Sequence, residues 1–232
     1  MGRPASLTRE RIDAAATTVV ERHGVDGLTA RRVAAELGCD PSALYRHYTG
    51  MDELRRRVGD RLLGSVRTPS RTSSRTSSRT APPANQHDGA SWDTVVRRIC
   101  VDLRRVLLTH RHLAALVQGA PTRLPNEVRI TEALLAELLR AGLAPRKAAD
   151  AYHALIELTI GSAAIDAEVA ELGRVAAATT YRAWRDDYRR LDPGDLPALS
   201  VVAEHLYRGT AAQRFERALD AVIASIVPGR PD

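Results

Sequence analysis

Cysteine is scarce: two residues of 232, Cys39 and Cys100. One falls in a turn and the other on an apolar helical stripe, so each reads as a small hydrophobe in a reducing compartment rather than half of a disulfide. Long apolar runs are missing too; none approaches the roughly 20 residues that cross a bilayer. Met1-Gly2-Arg3-Pro4 leads straight into a polar helix, without the apolar stretch of a secretory leader. A cytoplasmic protein with no membrane partner is expected. The chain also lacks a nucleophile elbow, a phosphate-cradling glycine loop, a dinucleotide fingerprint and a Cys/His set at zinc spacing. No catalytic residue, metal or cofactor is therefore expected, and an enzyme would need a cluster that the sequence does not offer. His110 and His112 come nearest, but residues two apart do not share a helix face.

What is present is basic and unevenly placed. The chain is long enough to bury a core without staples. Of its net charge of +6, residues 1–79 hold all the excess, with 15 Lys+Arg against 9 Asp+Glu, while residues 80–232 carry 19 against 19. A charged run is often only a solvated face, but a basic segment beside a neutral body is the footprint of a phosphate-binding module.

Thr29 to Tyr48 organises that segment. Thr29 can cap a helix whose Val33, Ala34 and Leu37 share an apolar face. Gly38 stops this helix by supplying a left-handed residue, and Asp40 with Pro41 starts the next as cap and first helical residue. Leu44 and Tyr48 of the second helix face back toward the first. Ala34, four residues before Gly38, lets two helices cross closely, as in a helix-turn-helix or any tight helical hairpin. Ser42, Ala43, Tyr45, Arg46 and His47 then form an outer face suited to base edges, thymine methyls and phosphates.

Around this pair the pattern predicts a first helix from about Leu7-Thr8 to Gly24, with Ile12, Ala15, Ala16, Val19 and Val20 inward, and a further helix from Met51 to Ser65. Arg3, Arg9 and Arg11 could form an arm toward phosphate. Residues 7 to 66, with "ERHGVDGLTARRVAAELG", "SALYRHY" and a following "MDEL", resemble the DNA-binding domain of the TetR family of bacterial transcriptional regulators. The resemblance implies that Thr29 and Arg31 contact phosphate and base, that Ser42 and Ala43 enter the groove, and that Tyr45 and His47 lie on the backbone. One departure stands out. Many members carry a lysine at or near Met51, where Thr49, Gly50 and Met51 supply no cation. The phosphate grip would fall to backbone N–H groups at that helix end, to Arg46, or to Arg55 to Arg57.

Residues 67 to 91 are low in complexity, with Ser-Arg-Thr recurring every four residues at 70, 74 and 78. Without an apolar face at any period, a disordered basic linker is expected, either a plain insertion or an added attraction for DNA. The remainder reads as helices over Trp92–His110, Arg111–Gln118, Glu127–Leu139, Pro145–Leu172, Arg174–Arg190, Ala198–Tyr207 and Ala211–Val227. The predicted organisation is all-α: residues 1–66 a helix-turn-helix domain, 67–91 the linker, and 92–232 a helical effector-binding and dimerisation domain.

The helix at 145–172 is apolar nearly all round and must be buried by more than one neighbour. Its small-residue side and the amphipathic last helix could pair with their copies, with Ile156, Ala163, Phe215, Leu219, Val222 and Ile226 as candidate interface residues. TetR regulators dimerise this way, and "FERALDAVIASI" resembles the tetracycline-repressor-type C-terminal domain. Candidate ligand contacts are Cys100, Arg104, His153, Glu157 and Trp184; His153 and Glu157, four apart, are either a polar anchor in a cavity or a satisfied buried pair. The function implied is a repressor that binds double-stranded palindromic operator DNA as a homodimer and is released by a small organic effector. A helical adaptor that binds only protein is the alternative, though it has no need of the basic face from Ser42 to His47.

Overall fold

The computed structural model describes residues 6–69, 90–110, 112–118, 122–171, 174–192 and 194–226, without the side chains of 115, 118, 170, 171 and 174–178. Arg3 and the Ser-Arg-Thr repeat lie outside the described residues. Ten α-helices and no strand occur among the described residues: α1 (Arg9–His23), α2 (Ala30–Leu37), α3 (Met51–Leu63), α4 (Trp92–Thr109), α5 (Leu113–Gln118), α6 (Pro125–Arg140), α7 (Pro145–Glu171), α8 (Arg174–Arg189), α9 (Pro197–Val202) and α10 (Ala211–Ser225). None is long and apolar enough to cross a membrane.

Local chemistry sets the first turns. Thr8 and Thr29 cap α1 and α2 by accepting the N–H of Arg11 and Arg32, each at 3.3 Å. Gly38 ends α2 in the left-handed region, at φ 65° and ψ 35°. The second helix of the pair departs from expectation, because Pro41–Arg46 winds as a 3-10 helix rather than an α-helix. Asp40 accepts the N–H of Ser42 at 2.8 Å and its own carbonyl takes the N–H of Ala43 at 3.0 Å. These early bonds close the tighter winding.

Ile12, Ala16, Val19 and Val20 of α1 meet Leu28, Val33, Leu44 and Leu54 in one buried cluster. A polar clamp locks it. Tyr48 Oη donates to Asp13 Oδ1 at 2.9 Å, and Arg57 Nη2 donates to Asp13 Oδ2 at 2.8 Å, tying the recognition segment to α1 and α3 at once. Burial, then the Asp13 hydrogen bond, pushes the Tyr48 phenol far above its ordinary value.

The rest of the core lies among α4, α6, α7 and α10. Ile99 and Leu107, Leu134 and Leu138, Leu155, and Leu219 are fully buried. As its pattern requires, α7 is enclosed by several neighbours: α4, α5, α6, α8 and α10 all pack on it. Arg104 of α4 pairs with Asp166 of α7, which also accepts from Tyr181 of α8. Arg214 of α10 stacks 3.8 Å above the Tyr181 ring. Asp102 joins the halves of the molecule by accepting the Arg67 N–H at 2.7 Å and Arg105 Nε at 2.9 Å. Burial opposes its ionisation, but the bonds and charges of Arg67 and Arg105 prevail and hold it below the usual carboxylate value.

Three outcomes test this packing. Tyr48→Phe, which loses the bond to Asp13, should cost about 1 kcal/mol in urea unfolding at unchanged slope. A thiol reagent should label Cys39 in the native protein and spare Cys100, which burial raises to about 11; equal labelling before denaturation would contradict its place in the core. Tyr181 is pushed up to about 12, first by burial and then by Asp166. Its neutral form therefore contributes full stability below the unfolded tyrosine value of about 10, and the contribution is lost as the pH rises through about 12. Ultraviolet titration of the phenolates should show Tyr181 among the late tyrosines, together with Tyr48.

Candidate nucleic-acid interface and ligand cavity

The α2 helix and the 3-10 segment present their outer residues to solvent. Thr29, Arg31, Ser42 and Arg46 are exposed, Tyr45 is 56% exposed, and Ala43 and His47 are half-buried. Tyr45 is the informative one, since a tyrosine left this open has no packing role in the single chain. Ser42 Oγ donates to Asp40, which fixes its rotamer, and Thr29 remains a cap with its hydroxyl proton to spare. Among the described residues no hydrogen bond or ion pair engages Arg31 or Arg46.

The cations proposed to replace the missing lysine separate in the structure. Arg57 is committed to Asp13 and Arg55 to Asp52, the latter at 2.8 Å. Arg56 is exposed and unpaired among the described residues. The α3 N-terminus follows Gly50 with no side-chain cap, so its first amides stay available.

A cavity of about 700 Å³ opens between α6 and α7. Its floor is apolar, with Leu63 of α3, Leu103 of α4, Val117 of α5 and Ile130, Ile156 and Ile160. Polar groups are few. Thr131 and Tyr152 share a hydrogen bond of 2.9 Å on one wall, and burial raises the Tyr152 phenol above its ordinary value. Such a site suits an organic molecule with an apolar body and few polar groups.

Two of the five candidate ligand residues line it, and three do not. His153 and Glu157 are exposed residues on its open side, not a satisfied buried pair. Cys100 is fully buried in the α4 core, Arg104 is spent on Asp166 and on the Phe215 ring 4.9 Å away, and Trp184 packs edge-on against Tyr181 at 5.2 Å. Thr122, Glu127, Thr131 and Tyr152 were not anticipated as lining residues. Thr122 sits in the loop before α6, Glu127 and Thr131 on the first turns of that helix, and Tyr152 on α7.

The candidate dimer residues also divide. Ala163 and Leu219 are fully buried and Phe215 is 4% exposed, so they seal α7 and α10 inside one chain. Ile156 faces the cavity. Val222 and Ile226 remain half-buried on α10, while Ile165 of α7 is 59% exposed and Val201 of α9 is 77% exposed. His110 Nδ1 lies 3.4 Å from Glu21 and with His112 lines a separate cavity of about 220 Å³ against α1. No metal-binding cluster occurs among the described residues.

Two family models match the chain. The family model described as "Bacterial regulatory proteins, tetR family" matches residues 12–58, and that described as "Tetracyclin repressor-like, C-terminal domain" matches residues 83–227. An HTH-type transcriptional regulator of Saccharopolyspora erythraea is 31% identical over 217 residues, covering 89% of this chain and 85% of the relative. The HTH-type transcriptional repressor DrrR1 of Streptomyces coeruleorubidus is 25% identical over 233 residues, covering 96% and 81%. The TetR family protein ActR of Streptomyces coelicolor, solved in complex with actinorhodin, superposes with a TM-score of 0.77 at 26% identity, covering 96% of this chain and 97% of ActR. With the helix-turn-helix at one end and the larger helical domain matched over nearly its full length, the chain belongs to the TetR family of bacterial transcriptional regulators.

Proposed function

We propose that the protein is a cytoplasmic, ligand-responsive repressor that holds a palindromic operator as a homodimer and releases it when a small organic effector fills the α6–α7 cavity. One observation carries this reading: Leu63, at the end of the helix that follows the helix-turn-helix, is also part of the cavity floor. A ligand there touches the support of the DNA-binding residues directly. In this reading residues 1–66 bind DNA, 67–91 link, and 92–232 sense and dimerise. DrrR1 is named a repressor and ActR holds actinorhodin, which supports repression and an organic effector here.

Thr29, Arg31, Ser42, Ala43, Tyr45, Arg46 and His47 would form the contact face, with Arg56 and the α3 amides as further phosphate grips. The second copy would cover the outer sides of α7 and α10, where Ile165, Val222 and Ile226 leave apolar surface open. Two copies would set their recognition segments about 34 Å apart, in successive major grooves. Release follows if the effector binds better to a conformation that misfits this spacing, and operator DNA must then weaken effector binding by the same factor.

The test begins with selection of a DNA sequence by the purified protein from a random pool. Affinity for the selected palindrome should fall steeply with salt, and Arg46→Ala, which removes one cation from each of the two subunits, should reduce the log–log slope by about 2. Tyr45→Ala should abolish specific binding while sedimentation still reports a dimer. Salt-independent affinity, or wild-type binding by Tyr45→Ala, would remove this face from the interface.

A further inference from the structure

The N-terminus of α6 is capped by a residue of another helix. Its own N-cap, Leu124, offers no side-chain acceptor, and Pro125 brings no N–H. The next two amides, Asn126 and Glu127, both donate to Asp60 Oδ1 of α3, at 3.0 and 2.9 Å. Asn126 Nδ2 donates to Asp60 Oδ2 at 3.1 Å, and Thr122 Oγ1 reaches Oδ1 at 3.4 Å. Asp60 is only 6% exposed, and no cation pairs with it among the described residues. Its charge is balanced by these donors and by the positive end of the α6 dipole. The loop that delivers them is held in an unusual state, with Arg123 at φ 57°.

Both sides of this joint matter to the reading proposed above, on which the inference rests. Thr122, Glu127, Val128 and Thr131 line the cavity. Asp60 lies three residues beyond Arg57, whose bonds to Asp13 fasten the base of the recognition segment through Tyr48. We propose that Asp60 is the positioning residue for induction: the borrowed cap passes a displacement of the first turn of α6, forced by an occupant of the cavity, to α3 and from there to the recognition segment. The reason is geometric. A turn held by several charge-assisted bonds to one buried carboxylate either carries that carboxylate with it or loses all of them together, and in the interior no water replaces them.

Gly161 gives a test that needs no identified effector. It lines the cavity, and a Cβ added there meets no atom within 4 Å, so Gly161→Phe places a ring in the space a ligand would take. Operator affinity is measured for the full chain, Gly161→Phe, Asp60→Ala and the double variant, on the palindrome selected by the wild type, with circular dichroism confirming the fold. Filling the cavity should weaken operator binding tenfold or more with Asp60 present and less than twofold with Asp60→Ala. Should Asp60→Ala fail to fold, Thr122→Val with Asn126→Ala strips the two side-chain bonds and should shrink the same ratio at least threefold. An equal loss in both backgrounds, as a merely structural role would give, overturns the assignment, and so does a filled cavity that leaves operator affinity unchanged. Failure of the pool to yield any sequence overturns the repressor reading itself and the inference with it.

Discussion

Two buried carboxylates flank the 13-residue helix α3 and hold its neighbours in register. Asp13, from α1, grips Arg57, and Asp60, on α3 itself, grips the first turn of α6. Neither is a surface ion pair that solvent could replace at little cost, since Asp13 and Asp60 are each only 6% exposed. Removing one leaves several part-buried donors without their acceptor. The apolar contacts of Leu54 and Val58 on one side and Leu62 and Leu63 on the other supply the bulk of the attraction. The carboxylates supply its direction.

That division of labour explains how a helical regulator can act as a switch. Apolar burial is non-directional and tolerates sliding, whereas a capped helix end has a single satisfied arrangement. The cavity is walled by the same capped turn. His153 and Glu157 are exposed at the cavity, and its floor is isoleucine and leucine. Both features follow from α7 being wrapped on several sides and left bare on one.

Much of the DNA-binding half was legible in the sequence because its signals are local. Thr8, Thr29, Gly38 and Asp40 act on backbone groups within four residues, and their roles follow from type and spacing alone. The 3-10 winding of Pro41–Arg46 was not legible, since an α-turn and a 3-10 turn begin with the same cap and proline. In the larger half the helices were legible but their outward and inward sides were not. His153 and Glu157 line the cavity, one of the two arrangements that their shared face allowed. Cys100, Arg104 and Trp184 do not, because rotation of a helix that is apolar on several faces is decided by its neighbours. Phe215 and Leu219 show the same effect, as a stripe that could have met a second copy is consumed inside the first.

The sequence by itself determined the helices, the turn chemistry of the recognition unit, the basic character of residues 1–79 and the family resemblance, because caps, periodicity and charge are properties of short stretches. Only the tertiary structure decided where the cavity lies, which arginines remain available to phosphate, and that α6 takes its cap from Asp60. Leu63 and Ile160, or Asp60 and Asn126, are brought together by packing across long loops of chain. No local pattern encodes which carboxylate a distant helix end will find.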